Sequence, residues 1–157
     1  YHYGMAHRLN PQSERISSNL ALSHFNMAAQ LNSKTNQSAA LFHYRTGLKY
    51  QPKNQAAINN LAWILATSPQ EKIRNPKEAL EMANQLNRDT GNKIPQVLDT
   101  LAASQAANEE FQMAVTTIKN AISLLKENPD ANLLKSLQYR LSLYDNQKIY
   151  TDNGSKG

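Results

Sequence analysis

Cysteine is absent from the 157 residues, which excludes a disulfide framework, a thiolate metal site and a cysteine nucleophile. Glycine is scarce, at five residues, and the abundance of Ala, Leu, Asn, Gln and Lys favours helix over sheet. No stretch of about 18 apolar residues occurs, so no membrane span is encoded. The N-terminus lacks the basic-then-apolar pattern of a secretory signal; cytoplasm and periplasm both stay open. Acid is nearly missing from the first third. Between Tyr1 and Asn54, Glu14 alone faces Arg8, Arg15, Lys34, Arg45, Lys49 and Lys53, while the remainder is balanced within the overall charge of +5. Such a basic lobe favours an acidic partner.

Signs of catalysis are missing too. His2, His7, His24 and His43 show no i, i+4 pairing and no HExxH segment, so they do not read as metal ligands. No glycine-rich phosphate loop, GxSxG elbow or paired-carboxylate pattern is present. Glu109 and Glu110 stand where a helix begins and complement its dipole. The chain reads as a non-enzyme with no cofactor and no metal.

What the sequence does contain is repetition. Asn19-Leu20-Ala21, Asn60-Leu61-Ala62 and Thr100-Leu101-Ala102 begin 41 and then 40 residues apart. Around them lie apolar patterns of helical period, clearest in Ile58, Leu61, Ala62 and Leu65 at i, i+3, i+4, i+7. Each such helix is followed by another with small residues at related places: Ala40 and Gly47, Ala79 and Ala83, Ala114 and Ala121. Period, stripe and close-approach residues predict helical hairpins stacked as a solenoid. Length supports a single domain with a modest core.

The series resembles tetratricopeptide repeats. Leu20-Ala21, Ala40, Tyr44, Gly47 and Pro52 match one repeat, Leu61-Ala62, Ala79, Ala83 and Leu86 a second, and Leu101-Ala102, Phe111, Ala114, Ile118 and Ala121 a third. Tyr3, Ala6 and Pro11 fit the second half of an earlier repeat, so the chain is expected to begin inside a hairpin of a longer array. The period exceeds the family's usual 34 residues or so. Ser17, Ile58 and Leu98 fill its tryptophan position, and its glycine before the second helix is absent. A HEAT-like array of period about 40–47 is the competing fold. The excess sits between helices, which favours the tetratricopeptide reading. Asn60-Leu-Ala-Trp-Ile-Leu-Ala-Thr-Ser-Pro69, Val97-Leu-Asp-Thr-Leu-Ala-Ala103 and Leu141-Ser-Leu-Tyr144 followed by Tyr150 are similar to the last repeats and capping helix of a bacterial subgroup. In some relatives the activity belongs to another domain, a membrane-embedded glycosyltransferase.

The expected architecture is thus an all-α, α-α superhelix of about three helical hairpins plus a C-terminal capping helix. Its parts are a half repeat over 1–12, hairpins over 14–52, 55–90 and 95–127, a capping helix over 129–146 and a tail over 147–157. Ser68-Pro69-Gln70-Glu71 and Asn75-Pro76-Lys77-Glu78 both have capping-box form, which predicts a short helical turn in the joint and a helix from Pro76. Gly91 is a stop, Pro95 a restart, and Asn108 the residue for a left-handed turn. In the last helix Lys135 and Arg140 are assigned to the side away from its leucines.

The resemblance also implies a concave groove lined by the leading helices. Its positions here are Arg15, Ser18, Asn19, Leu22 and Phe25, then Asn59, Asn60, Trp63 and Ala66, then Gln96, Asp99, Thr100 and Ala103. Trp63, Leu22 and Phe25 would bury area against a peptide while asparagine amides pair with its main chain. Trp63 has a second reading, as a residue packed under the Thr67–Asn75 joint. The groove lacks the basic pattern of a carboxylate clamp. The expected function is a scaffold or adaptor that binds a protein or peptide partner. Self-association into a homo-oligomer is the alternative. Nucleic acid is disfavoured, because Tyr3 and Tyr44 match core positions and leave few aromatic rings for stacking.

Overall fold

The computed structural model describes residues 14–31, 36–127 and 129–152. Among them are seven helices and no strand: α1 Glu14–Leu31, α2 Gln37–Tyr50, α3 Gln55–Thr67, α4 Pro76–Asp89, α5 Pro95–Ala107, α6 Phe111–Leu124 and α7 Ala131–Asp145. The proposed half repeat over 1–12 and the last residues of the tail lie outside the described residues. Two compact units divide the chain, one up to Leu61 and one from Ala62. The seam falls inside α3. None of these helices is long and apolar enough to cross a membrane.

In the first unit α1 packs along α2. Small residues set the separation: Ala21 and Ala28 on α1 and Ala40 on α2 are fully buried. Gly47 permits a close approach, since a Cβ there would stand 2.4 Å from Cε1 of Phe25 and the ring would have to move. Tyr44 is also buried, and its hydroxyl accepts a 3.1 Å hydrogen bond from the Asn60 amide. The Asn54 side chain opens α3 by accepting from Ala57 N–H at 2.9 Å, the usual N-cap service to an otherwise unpaired donor.

In the second unit α4 packs on α5, α5 on α6 and α6 on α7. Leu98, Ala102 and Ala106 of α5 share a core with Ala114, Ile118 and Ala121 of α6 and Leu137 and Tyr144 of α7. A second cluster joins Ala62 of α3, Ala83 of α4 and Leu101 of α5. Each large side chain buried this way contributes about 1.5–3 kcal/mol. All ten residues from Val97 to Ala106 are buried, so α5 is covered on every side. Its polar groups are accordingly bonded, Ser104 Oγ to Thr100 O at 2.8 Å and Gln105 Oε1 to the Thr117 hydroxyl at 2.8 Å.

The helix boundaries follow the chemistry of their ends. Asn75 caps α4, accepting from Glu78 N–H at 3.3 Å and donating to Glu78 Oε2 at 2.9 Å, with Pro76 in the first turn. Asp130 caps α7 by accepting from Asn132 and Leu133 N–H. Gly91 has φ +67° and follows the end of α4. The joint after α3 makes the expected short turn, over 71–73, where Gln70 O takes both the Ile73 and Arg74 N–H and the run goes no further. Two expectations change. Glu109, not Asn108, is left-handed, with φ 64°. Asn108 keeps φ −96° and instead spends its amide on Ser104 O and Pro76 O, both at 2.8 Å. Residues up to Asp152 also do not trail away. After a left-handed Gln147, Lys148 N–H returns to Leu143 O and Asp152 N–H bonds Thr67 O at 2.8 Å.

Candidate functional site

On α1 the candidates Arg15, Ser18 and Leu22 share one side, i, i+3, i+7, and are exposed; Leu22 is 56% accessible. Asn19 and Phe25 are half-buried, Phe25 over Gly47. On α3, Asn60 is exposed and bonded to Tyr44, while Asn59 is half-buried with its carbonyl oxygen enclosed and without a partner. Gln96 is exposed at the start of α5. Asp99, Thr100, Ala103 and Ala66 are all buried.

Trp63 and Asp99 are brought together by a residue that helical periodicity assigned to the solvent side. Arg140 is only 6% accessible and lies on the buried stripe Leu137–Arg140–Tyr144 of α7, at i, i+3, i+7. Its guanidinium grips Asp99 in a bidentate pair, Nε to Oδ1 at 2.7 Å and Nη2 to Oδ2 at 2.5 Å. Its Cζ lies 5.2 Å from the Trp63 ring centre and 5.1 Å from that of Tyr150, within cation–π range of both. The placement corrects the expectation that Arg140 faces away from the leucines. A planar, delocalised cation tolerates burial when a carboxylate matches its fork and rings cover its faces.

Trp63 itself packs under a C-terminal strap, Ile149 to Asp152. The Tyr150 ring sits 5.7 Å from the indole at 46°, and the indole N–H donates to Asp152 Oδ2 at 3.2 Å. Tyr139 meets Tyr150 edge-on at 6.4 Å. The Asp152 N–H fills the carbonyl of Thr67, one of the acceptors that the end of α3 leaves unpaired. Strap and indole therefore meet through a ring contact, a carboxylate contact and a main-chain contact. The sequence signal was available in part: a lone acid in the apolar run Val97–Ala103, and an arginine at i+3 from a core leucine.

Electrostatics follow from the burial. Burial holds the Asp99 carboxyl above the ordinary carboxylate value, while the charge and hydrogen bonds of Arg140 work against the rise. Burial, with Asp99 adding to it, pushes the Tyr144 phenol far up. Tyr144 therefore stays neutral, and its enclosed hydroxyl has no partner. Tyr150 is raised by burial first and by the Asp152 carboxylate second.

The first unit holds a second titratable cluster. Nδ1 of His24 and Nδ1 of His43 stand 2.8 Å apart, Tyr50 stacks on His24 with planes 10° apart, and Phe42 meets His43 edge-on. A bond between two imidazole nitrogens needs one of them to accept, so one ring must be neutral. Burial, then His43, lowers the His24 pKa. The folded form thus binds fewer protons than the unfolded one, and stability falls as pH drops through the histidine range near about 6.5 toward the depressed value. Circular-dichroism melts between about pH 7.5 and about pH 5.5 are expected to show a falling midpoint, with His24→Gln flattening the dependence. Among the described residues no three His, Asp or Glu side chains gather as metal ligands.

An open depression of about 980 Å³ lies elsewhere in the second unit, lined by Lys93, Gln96, Glu127 and Asp130 among others. Its charges are of both signs and all are exposed, so it offers none of the fixed polar groups that a ligand site needs. No protein-family model, curated protein or solved structure matches the chain.

Proposed function

We propose that the chain is a non-catalytic protein–protein interaction module, a tetratricopeptide-type superhelix in a bacterial parent, which serves as scaffold or adaptor by holding a peptide or helix of a partner. One observation carries the reading: helices of the second unit already hold an extended segment against Trp63 by ring, carboxylate and main-chain contacts. Those are the contacts by which such a face takes a foreign peptide. On α1 the exposed row Arg15, Ser18 and Leu22 supplies cationic, hydroxyl and aliphatic contact, and suits an acidic partner.

Affinity capture from the native cell extract tests the reading, with the full chain compared against an Arg15→Glu, Leu22→Asp variant of equal helicity. A specific protein is expected on the wild type and reduced at least about tenfold on the variant. Equal recovery on both, or nothing beyond the bead control, would overturn it.

Self-association is the second reading, favoured by Leu22, Met27 and Phe42, which are 56%, 44% and 61% accessible. Mass by light scattering that rises with concentration would support it.

A further inference from the structure

We infer that the Trp63–Arg140 face is a receptor for a short extended peptide of pattern aromatic–any–acid, and that Tyr150-Thr151-Asp152 is its resident, displaceable occupant. The inference rests on the interaction-module reading and names the chemistry of the partner.

Three recognition elements are fixed independently of the strap. Arg140 is anchored through Asp99, whose two carboxylate oxygens hold the guanidinium in one plane. The ring slot over that plane therefore persists when Tyr150 leaves, with Tyr139 forming its edge. The indole N–H of Trp63 is a single neutral donor at the slot's rim, where Asp152 places its carboxylate. The Thr67 carbonyl ends α3 and takes a main-chain N–H whatever side chain follows. Ring, carboxylate and main chain are thus read in a fixed order. The middle position, Thr151, takes no part in these contacts and is free to vary.

The occupant is lightly held. Tyr150, Thr151 and Asp152 are each half-buried and Ile149 is exposed; Tyr150 alone of the four packs on the core cluster around Leu137. A segment without helix hydrogen bonds that is tied down through a single core ring and half-buried neighbours opens at the low end of local stability. The strap leaves α7 through the left-handed Gln147, a short connection that keeps it near the slot. Tethering gives it an effective concentration in the millimolar range, so a partner peptide must either bind more tightly or arrive with further contacts.

The test uses the full chain and its sole tryptophan, Trp63, as reporter. The acetylated, amidated peptide Ile-Tyr-Thr-Asp is titrated into wild type and into a Tyr150→Ala, Asp152→Ala variant while indole emission is followed. Saturable binding is expected at least about tenfold tighter to the variant than to wild type, and lost when the peptide's Tyr becomes Ala or its Asp becomes Asn. No saturable response from a variant with wild-type helicity would overturn the inference. So would equal binding of the altered peptides. If the variant unfolds, wild type alone decides: weak saturable competition supports displacement, and its absence at millimolar peptide refutes it. Mass that doubles with concentration and falls on adding peptide would assign the slot to the strap of a second copy and sink the partner assignment. A chain that binds the peptide yet captures no cellular partner keeps the slot and loses the adaptor role.

Discussion

Replacing Arg140 with alanine is expected to lower folding stability by about 3–5 kcal/mol, the cost of leaving one member of a buried ion pair without its partner. Both side chains are 8% accessible, so water cannot take over the lost hydrogen bonds. Asp99 would remain within a helix buried on every side, its carboxyl held upward by burial with nothing left to oppose it. The sign of the pH response should follow. An acid whose folded value lies above its unfolded one keeps more protons in the fold, so the variant should be relatively more stable in acid and lose ground as pH rises. Removing both charges together, Asp99→Leu with Arg140→Met, should recover most of the loss, since an apolar pair of similar volume needs no desolvation. Urea unfolding at two pH values checks all three statements. A loss under about 1 kcal/mol for Arg140→Ala would mean that the pair is reached by solvent.

Leu137→Ala is expected to cost about 2–5 kcal/mol, the range for emptying a fully enclosed leucine site. Leu137 has no accessible surface and packs with Leu98, Ile118 and Tyr144. Because Arg140 lies on the same helix and the strap follows it, and both contact Trp63, the effect should be visible at the indole. Indole emission of the variant is expected to change at lower urea than helicity does. The exposed Lys135→Ala on the same helix should stay within about 0.5 kcal/mol of wild type. Coincident emission and helicity transitions in the leucine variant would show that α7 does not loosen separately.

Much of the helical order is legible in the residues because local chemistry writes it. Pro76 and Pro95 mark helix starts, Gly91 follows a helix end, and the small residues Ala40, Gly47, Ala83 and Ala114 occupy buried positions. The site is less legible. Trp63 stood out by its place in the α3 pattern, but its occupant did not, since the polar stretch after Asp145 has no periodicity and docks through a few groups only. The burial of Arg140 is hidden for a related reason. Periodicity within one helix sends a cation to water, and only the acid 41 residues earlier in the chain explains its burial. The single turn in the joint after α3 is legible from its serine and proline, and Gln70 O closes it.

The seam between the two units runs through a continuous helix and not a linker, unlike the exposed, flexible segments where domains usually part. A protease that needs slack backbone would have to cut around 51–54 or within 68–75, and each fragment would lose or gain α3 entire. Any dissection of the protein into halves must therefore choose which half keeps the rod, and the other half will begin or end with a ragged edge.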